Sequence, residues 1–306
     1  MDADSVIEVL QSGQCDLVMD GGRYGFAHLG VPVGGAADAW ALQRANRLVG
    51  NVDTAAGLEI TLKGPVLLFP QGGVIALTGA RFDVSRSSGG AIGWNETLLM
   101  ARNEQLMMGV ARSGCRCWLA VRGGLIVPDV LASHSTFLPA SFGGMQGRAL
   151  HAGDRLTFGK PTGDPVSSCD PPHASDASVP FRVIPGPQAA DFTDAGLAAF
   201  FSTLYRVDAA SDRRGVRLAG VPVAALTQRS LPSQAVLPGA IQIPPDGQPI
   251  ILGWDGPVTG GYPVVAGLAS VDLPRLAQLK PGNTVRFATV TLEAARKLAR
   301  EAMDGY

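Results

Sequence analysis

The sequence predicts a mainly β protein built from two barrel-like units. Three observations carry this expectation. First, 39 glycines and 22 prolines among 306 residues make turns frequent, which favours many short strands over long helices. Second, short apolar runs bounded by glycine recur along the chain. Third, two motifs recur in the same order on either side of a proline-rich stretch. Arg23-x-Gly25-x4-Gly30-Val31-Pro32-Val33 returns as Arg213-x-Gly215-x4-Gly220-Val221-Pro222-Val223. Leu150-x2-Gly153-Asp154-x-Leu156-x-Phe158 returns as Leu279-x2-Gly282-Asn283-x-Val285-x-Phe287. Two related units, the first carrying an insertion, would produce this order; a coincidence between glycine-rich turns would also produce it.

Taken in chain order, the first helix is expected over 36–49. Trp40, Leu42, Ala45, Leu48 and Val49 fall on one helical repeat, and Gly50-Asn51 closes it. Strands are expected at 66–69, 73–77 and 117–121. Residues 161–180 then change character, with Pro161, Pro165, Pro171, Pro172 and Pro180 among serines and aspartates. That is a linker composition, so the units are expected at 1–160 and 181–306. Beyond it, strands are expected at 181–184, 240–243 and 284–287. A hairpin turn is expected at Pro245-Asp246-Gly247. Asp194 is read as the cap of a helix running through Phe201, and Asp272 as the cap of a short one with Pro274 in its first turn. Thr291 caps a final helix over 292–302.

Composition narrows the function classes. Apolar residues make up 46% and charged residues 17%, which suits a packed core and not a disordered chain. With 25 basic and 26 acidic residues the net charge is −1, so no nucleic-acid partner is expected. The longest apolar candidate, 118–130, is interrupted by Arg122, Gly123, Gly124, Pro128 and Asp129, so no membrane span is expected. The acidic start, Met1-Asp2-Ala3-Asp4, is unlike a basic secretory leader, and a cytoplasmic protein is expected. Cys15, Cys115, Cys117 and Cys169 do not form a disulfide framework, and Cys115-x-Cys117 suits alternate positions on one strand face. His28, His134, His151 and His173 lack ligand spacing, so no metal is expected. His151 is expected at the surface and His173 in the linker. The sequence contains neither a Gly-x4-Gly-Lys-[Ser/Thr] loop nor a Gly-x-Ser-x-Gly elbow.

What remains is a set of glycine-rich loops bearing isolated polar side chains. Gly34-Gly35-Ala36-Ala37-Asp38 leads into the first helix, where it would either hold an anion or simply cap the helix. Residues 211–217 hold Arg213, Arg214 and Arg217 beside Asp212, either an anion-binding turn or a solvated one with an internal ion pair. The most informative stretch is 238–263. It places Gln242 in one strand, Asp255 after the next, and then Thr259-Gly260-Gly261-Tyr262. An amide and a carboxylate beside a Gly-Gly backbone would suit a small polar amide, and a ligand-free glycine turn would look the same.

The motifs that run through the chain carry a resemblance. They are Gly22-Arg23-Tyr24-Gly25, Gly35-Ala36-Ala37-Asp38, Ala45-Asn46-Arg47-Leu48-Val49-Gly50-Asn51, Leu58-Glu59-Ile60-Thr61 and Leu119-Ala120-Val121-Arg122-Gly123-Gly124. Ser133-His134-Ser135-Thr136, Pro185-Gly186-Pro187-Gln188, Ser211-Asp212-Arg213, Gly239-Ala240-Ile241-Gln242 and Thr259-Gly260-Gly261-Tyr262-Pro263 continue the series. With these the chain, from about Val18 to Phe287, resembles the allophanate hydrolase subunit 2 or biotin-dependent carboxyltransferase family. That family includes the C subunit of 5-oxoprolinase, the Kip antagonist proteins and part of urea carboxylase. The resemblance implies two linked cyclophilin-like β-barrel units and a subunit-1-type partner protein. It implies one of three roles: ATP-dependent opening of 5-oxoproline, carboxyl transfer from carboxybiotin to urea, or antagonism of a kinase inhibitor. The chain departs from the family pattern at Gly34, Arg81 and His134, where many members have serine, an acid and arginine.

The expectation is therefore a hydrolase subunit acting with a partner on the C–N bond of a small amide or lactam. ATP is the expected cofactor, bound by or with a partner subunit, and biotin would enter only in trans, because no Met-Lys-Met attachment site is present. Asp38, Glu59 and Asp255 are the candidate acid–base or positioning groups. Arg213, Gln242, Thr259, Gly260, Gly261 and Tyr262 are the candidate substrate-binding set, with Gln242, Arg213 and the Gly260-Gly261 backbone as donors to a developing oxyanion. Asp38, Arg213, Gln242 and Asp255, with the Gly260-Gly261 turn, are expected around one cleft.

Overall fold

The computed structural model describes residues 5–161, 163–166, 179–227 and 231–304. The protein is mainly β, with 34% strand and 17% helix. It divides into two compact units, Met1–Tyr24 with Val33–Ala174, and Gly25–Pro32 with Ser175–Tyr306. The linker expected at 161–180 lies largely outside the described residues, as do Cys169 and His173.

In the first unit the elements are β1 (Ser5–Gln11), β2 (Cys15–Met19), α1 (Ala39–Leu48), β3 (Gly57–Thr61), β4 (Val66–Phe69) and β5 (Gly73–Gly79). They continue as β6 (Phe82–Arg86), β7 (Thr97–Met100), β8 (Glu104–Ala111), β9 (Arg116–Val121), β10 (Leu125–Ile126) and β11 (Arg155–Phe158). One sheet has the order β10-β11-β1-β4-β8-β6 and the other β2-β3-β9-β5-β7. Successive strands step between the sheets: β1 and β2, β3 and β4, β5 and β6, β7 and β8, β9 and β10 lie in opposite sheets. One of these corners shows why glycine is used. Gly79, at the β5–β6 corner, has φ +80°, and a Cβ there would lie 2.8 Å from the Arg116 carbonyl oxygen. Ile7, Leu58, Ile60, Phe69, Leu77, Leu106 and Leu119, drawn from both sheets, are fully buried and form the core. On the opposite face of the second sheet, Ala45 and Leu48 of α1 and Val49 just after it pack on Ala76 and Ala120. Thr78 Oγ1 donates to the Ala41 carbonyl from below.

Helix α1 begins at Ala39, three residues later than the apolar period suggests. Gly34 and Gly35 both have positive φ, and Asp38 accepts from Ala41 N as the N-cap, so the regular turn starts only after it.

The second unit comprises β12 (Phe181–Pro185), α2 (Asp194–Ser202), β13 (Tyr205–Val207), β14 (Gly215–Ala219), β15 (Gln234–Ala235), β16 (Ala240–Gln242) and β17 (Ile250–Leu252). Then follow β18 (Thr259–Gly260), β19 (Val264–Leu268), α3 (Leu273–Ala277), β20 (Thr284–Val285), β21 (Phe287–Thr289) and α4 (Leu292–Asp304). The sheet order is β20-β13-β14-β17-β16-β19-β12-β21. Its two ends, β20 and β21, are halves of one stretch interrupted at Arg286. β20 pairs with β13 and β21 with β12, so one stretch of chain bridges both ends and the sheet nearly closes into a barrel. Inside it, Phe200 and Phe287 stack with ring centroids 4.6 Å apart, among Val183, Tyr205, Ile241 and Ile251. The ribbon β15–β18 is separate from this sheet. The hairpin turn forms as expected, with Gly247 N donating to the Pro244 carbonyl and β16 pairing with β17.

Two helix caps differ from expectation. Thr193, not Asp194, caps α2, its hydroxyl accepting from Gly196 N. Asp272 precedes α3 but makes no side-chain cap. Its buried carboxylate instead binds Arg182 and Arg275, because two guanidiniums compete for it more strongly than one amide. Thr291 caps α4 as expected, accepting from Ala294 N.

Of the two sequence repeats, one is structural. In the first unit Gly153 N donates to the Val9 carbonyl, Val9 N to the Asp154 carbonyl, and Asp154 N to that of His151. In the second, Gly282 N donates to Val207, Val207 N to Asn283, and Asn283 N to Lys280. Gly153 and Gly282 have φ of 92° and 89°, and each turn leads into a strand paired antiparallel with its partner, β11 with β1 and β20 with β13. The other repeat is not structural, since Gly215–Ala219 is a strand and residues 25–32 hold only a single 3-10 turn.

Candidate functional site

In the first unit, the loops at 20–24, 33–38, 131–136 and 141–147 converge on buried polar groups. Glu59, in the middle of β3, is 0% exposed. Its Oε2 accepts from Ala37 N at 2.9 Å, and Arg116 Nε lies 3.3 Å from its Oε1. Asp38 Oδ1 accepts from Ala41 N at 3.0 Å. The structure thus brings Asp38 and Glu59 together at the start of α1. Glu59 takes the Ala37 amide just ahead of the cap and Asp38 the Ala41 amide in the first turn, so the two carboxylates fix the entry to the helix.

Beside it lies a node that the sequence left unassigned. Asp20, at the end of β2, is 6% exposed. Its carboxylate accepts from Ser133 Oγ (2.7 Å), Ser135 Oγ (2.5 Å), His134 N (2.6 Å) and Gly22 N (2.8 Å). Burial, the largest single influence, pushes its pKa up; the bonds from Ser135, His134, Ser133 and Gly22 together hold it below the usual carboxylate value. Arg23 is 0% exposed. Its Nη2 donates to the Ser135 carbonyl at 2.5 Å, and its guanidinium lies 4.9 Å from the centre of the Phe142 ring. The readable signal was the Ser-x-Ser spacing of 133 and 135, which puts two hydroxyls on one side of an extended segment.

In the second unit, Arg213 and Asp255 form a bidentate pair, Nε to Oδ2 at 2.8 Å and Nη2 to Oδ1 at 3.0 Å. Their side chains are 8% and 1% exposed. The remainder of the arginine cluster behaves differently: Arg214 pairs with Asp212 in solvent, and Arg217 is exposed. Gln242 lies on the outer face of the barrel, because Ile241 next to it points into the core. Ala240, Ile250, Leu252, Val264 and Val236 form a small apolar cluster on that outer face. The ribbon β15–β18 pairs Gln234 with Gly260 and Ala235 with Thr259. Gln242 Nε2 donates to the Tyr262 carbonyl at 3.4 Å, and a Cβ on Gly260 would sit 2.6 Å from that nitrogen. Glycine at 260 therefore lets the backbone reach the carboxamide. Gln188 and Gln234 exchange two amide hydrogen bonds, at 3.1 and 3.0 Å. Tyr262 is 45% exposed.

The predicted site residues thus form three groups: Asp38 with Glu59 in the first unit, and Arg213 with Asp255 and Gln242 with Gly260 and Tyr262 in the second. One loop, 253–263, links the last two. Among the described residues, no group of three or more His, Cys, Asp and Glu side chains is arranged to hold a metal ion. Cys115 and Cys117 are buried thiols, and burial, before the charges of Asp16 and Glu59, pushes the Cys117 pKa well up. His151 is exposed as expected.

A two-unit, mainly β chain with an amide and carboxylates set in glycine loops defines the class to which comparison assigns it. Residues 29–289 match the family model described as carboxyltransferase domain, subdomain A and B, and the chain belongs to that family. It is 37% identical over 301 residues to the C subunit of 5-oxoprolinase from Escherichia coli, covering 98% of this chain and 96% of that protein. It is 31% identical to urea amidolyase of Saccharomyces cerevisiae, covering 98% of this chain but 17% of that one. The crystal structure of the K. lactis urea amidolyase superposes with a TM-score of 0.87 at 32% identity, again over 98% of this chain and 20% of the larger one. Against the urea amidolyases this chain therefore corresponds to one part of a much longer polypeptide.

Proposed function

We propose that the protein is a subunit of an ATP-dependent hydrolase that opens the C–N bond of a small amide or lactam, in the manner of its 5-oxoprolinase relatives. The observation that carries this is the end-to-end match, 37% identity over 98% of this chain and 96% of the relative. The chemistry of the second unit supports it. The Gln242 bond to Tyr262 is long at 3.4 Å, so a ligand amide can replace it at little cost. Gln242, with the backbone of Gly260 and Gly261 and the side chains of Thr259 and Tyr262, would orient the amide and donate to its carbonyl oxygen. The Arg213–Asp255 pair holds the far end of the 253–263 loop, and Asp38 and Glu59 hold the start of α1. These four are positioning residues in this reading. ATP would activate the carbonyl and would be bound by a partner subunit. No helix among the described residues is long and apolar enough to cross a membrane, and the assembly is proposed to work in the cytoplasm.

The test is reconstitution. The chain, co-purified with its subunit-1-type partner and the remaining subunits, is expected to convert 5-oxoproline to glutamate only with ATP. The second reading, carboxyl transfer from biotin held on another protein, is favoured by the match to urea amidolyase over 98% of the chain. It wins if the assembly instead carboxylates urea in a biotin-dependent way and leaves 5-oxoproline untouched.

A further inference from the structure

We infer that Gln188 is a positioning residue of the second unit's amide site, its carboxamide tying down both ends of the segment 260–264 that faces Gln242. The inference rests on the functional reading above, and every residue it uses belongs to the second unit. The tie starts at the end of β12. The ladder with β19 runs to Pro185 opposite Ala266, and Gly186 N then donates to the Val265 carbonyl. A Cβ on Gly186 would lie 2.2 Å from the Val264 carbonyl oxygen, so glycine lets the two segments stay this close. Gln188 then takes both backbone groups of Val264. Its N–H donates to the Val264 carbonyl at 3.2 Å, and its side-chain Oε1 accepts from Val264 N at 3.0 Å. The carboxamide oxygen thus stands where a strand carbonyl would.

The same carboxamide reaches the ribbon. Gln188 Nε2 donates to Gln234 Oε1, and Gln234 Nε2 donates back to Gln188 Oε1. Val264 N can only donate, so it fixes which end of the Gln188 carboxamide is oxygen, and Gln188 in turn fixes Gln234. Gln234 sits opposite Gly260 in the β15–β18 ribbon. One side chain therefore holds Val264 directly and Gly260 through Gln234. Between them lie Gly261 and Tyr262, whose carbonyl accepts from Gln242. The Val264 end has a second tie, from Ile243 N to the Pro263 carbonyl at 3.0 Å. The Gly260 end is less secure. A two-stranded ribbon with so short a ladder is marginal by itself in water, and the packing of Val236 on the barrel's outer face is apolar and without direction. The paired carboxamides supply direction, because hydrogen bonds weaken steeply off their axis. Both glutamines are half-buried, so removing either should shift the Gly260 backbone against Gln242 and leave the barrel core packed.

The experiment is steady-state kinetics of the reconstituted assembly with 5-oxoproline, comparing wild type with Gln188→Ala, Gln234→Ala, Gln242→Ala and their double variants. Glu104→Gln, which breaks a buried ion pair with Arg86 in the first unit, controls for lost stability alone and should leave kcat/KM unchanged. Gln188→Ala and Gln234→Ala are each expected to lower kcat/KM by about 10- to 100-fold, the scale of displacing a contact by about 1 Å. The two together should cost little more than either, since both cut one tie. Added to Gln242→Ala, each should cost markedly less than in the wild type, since alignment with the Gln242 carboxamide no longer counts. Gln188→Glu combined with Gln234→Lys replaces the tie by an ion pair and should recover part of the loss. If Gln188→Ala does not fold, Gln234→Ala decides. Values of kcat/KM within about twofold of wild type for the single variants at 188 and 234 overturn the inference while leaving the functional reading intact. Losses that multiply fully with that of Gln242→Ala also overturn it, as the mark of a merely structural role. If wild type leaves 5-oxoproline untouched but carboxylates urea, the functional reading fails, and the same variants on urea decide the inference. If wild type acts on neither amide, both fall.

Discussion

Replacing Asp16 by asparagine should change stability by an amount that depends on pH, increasingly in favour of the variant as pH rises. Asp16 is 1% exposed. One carboxylate oxygen accepts from Gly13 N at 2.5 Å, and the other, Oδ1, is buried without a partner. Burial, only partly offset by the Gly13 bond, raises its pKa from 3.8 to about 6. The sign follows from linkage. Between the two values the folded state holds a proton that the unfolded state has released, so stability falls as pH rises through that window. At 1.36 kcal/mol per pKa unit, the shift of about 2.2 units costs the folded protein about 3 kcal/mol once pH exceeds the folded value. Asparagine has the same shape, can still accept from Gly13 N, and carries no charge. Its NH2 group would inherit the unsatisfied position of Oδ1, a cost of about 1–3 kcal/mol that is independent of pH. The absolute gain at pH 7 is therefore small, but the difference between variant and wild type should shift by about 3 kcal/mol in favour of the variant between pH 3.5 and pH 7. Urea denaturation of both proteins at half-unit steps of pH measures this, and groups common to both cancel in the difference. A difference that stays constant over this range would show that Asp16 ionises normally and would refute the reasoning.

Three further outcomes are expected. Glu104 is buried against Arg86, Ser88 and the Ala101 amide. The Arg86 bond is the largest influence holding its pKa at about 2. Its stabilisation of up to about 3 kcal/mol, from the shift of roughly 2.5 units at 1.36 kcal/mol each, is complete above the unfolded value of 4.5 and lost as pH falls through 2. Glu104→Gln should remove it, seen as a lower urea midpoint at pH 7 and convergence with wild type near pH 2. Asp272→Ala leaves Arg182 and Arg275 beside an emptied buried site and should cost about 3–5 kcal/mol, whereas a midpoint shift equivalent to under about 1 kcal/mol would mean that the arginines find solvent. Gln242→Ala should cost about 1–3 kcal/mol in kcat/KM for the amide with the melt unchanged; unchanged kinetics in the full assembly would reduce Gln242 to a partner for the Tyr262 carbonyl.

Local chemistry was legible in the sequence wherever one residue type decides a conformation. Glycine and proline density announced short strands, Thr291 announced its helix, and Pro245-Asp246-Gly247 announced its hairpin, because caps and turns are settled within four or five residues. The Leu150 and Leu279 motifs were legible as a repeat for the same reason, since each encodes one complete turn with its glycine at φ near 90°. The similar-looking Arg23 and Arg213 motifs encode no common turn, and pattern alone did not separate the two cases. Asp194 and Asp272 show the limit of capping arguments. Thr193 stood one residue earlier with an equally good oxygen, and Asp272 met two arginines, Arg275 three residues on and Arg182, 90 positions away in sequence.

The candidate site was only partly readable, because its members meet through strands that no sequence window spans. Gln242 was found from its glycine-rich surroundings, but that Gly260 touches it depends on a ribbon folding back over the barrel's outer face. Arg213 and Asp255, singled out separately, proved to be one ion pair across 42 residues. The Asp20 node, with partners near residue 134, had no local signal beyond two serines spaced by one. What the sequence determined alone was the set of turns, caps and apolar alternations, whose energies are set by immediate neighbours. What only the tertiary structure decided was which buried charge meets which partner, because desolvation makes pairing obligatory without specifying where along the chain the partner lies.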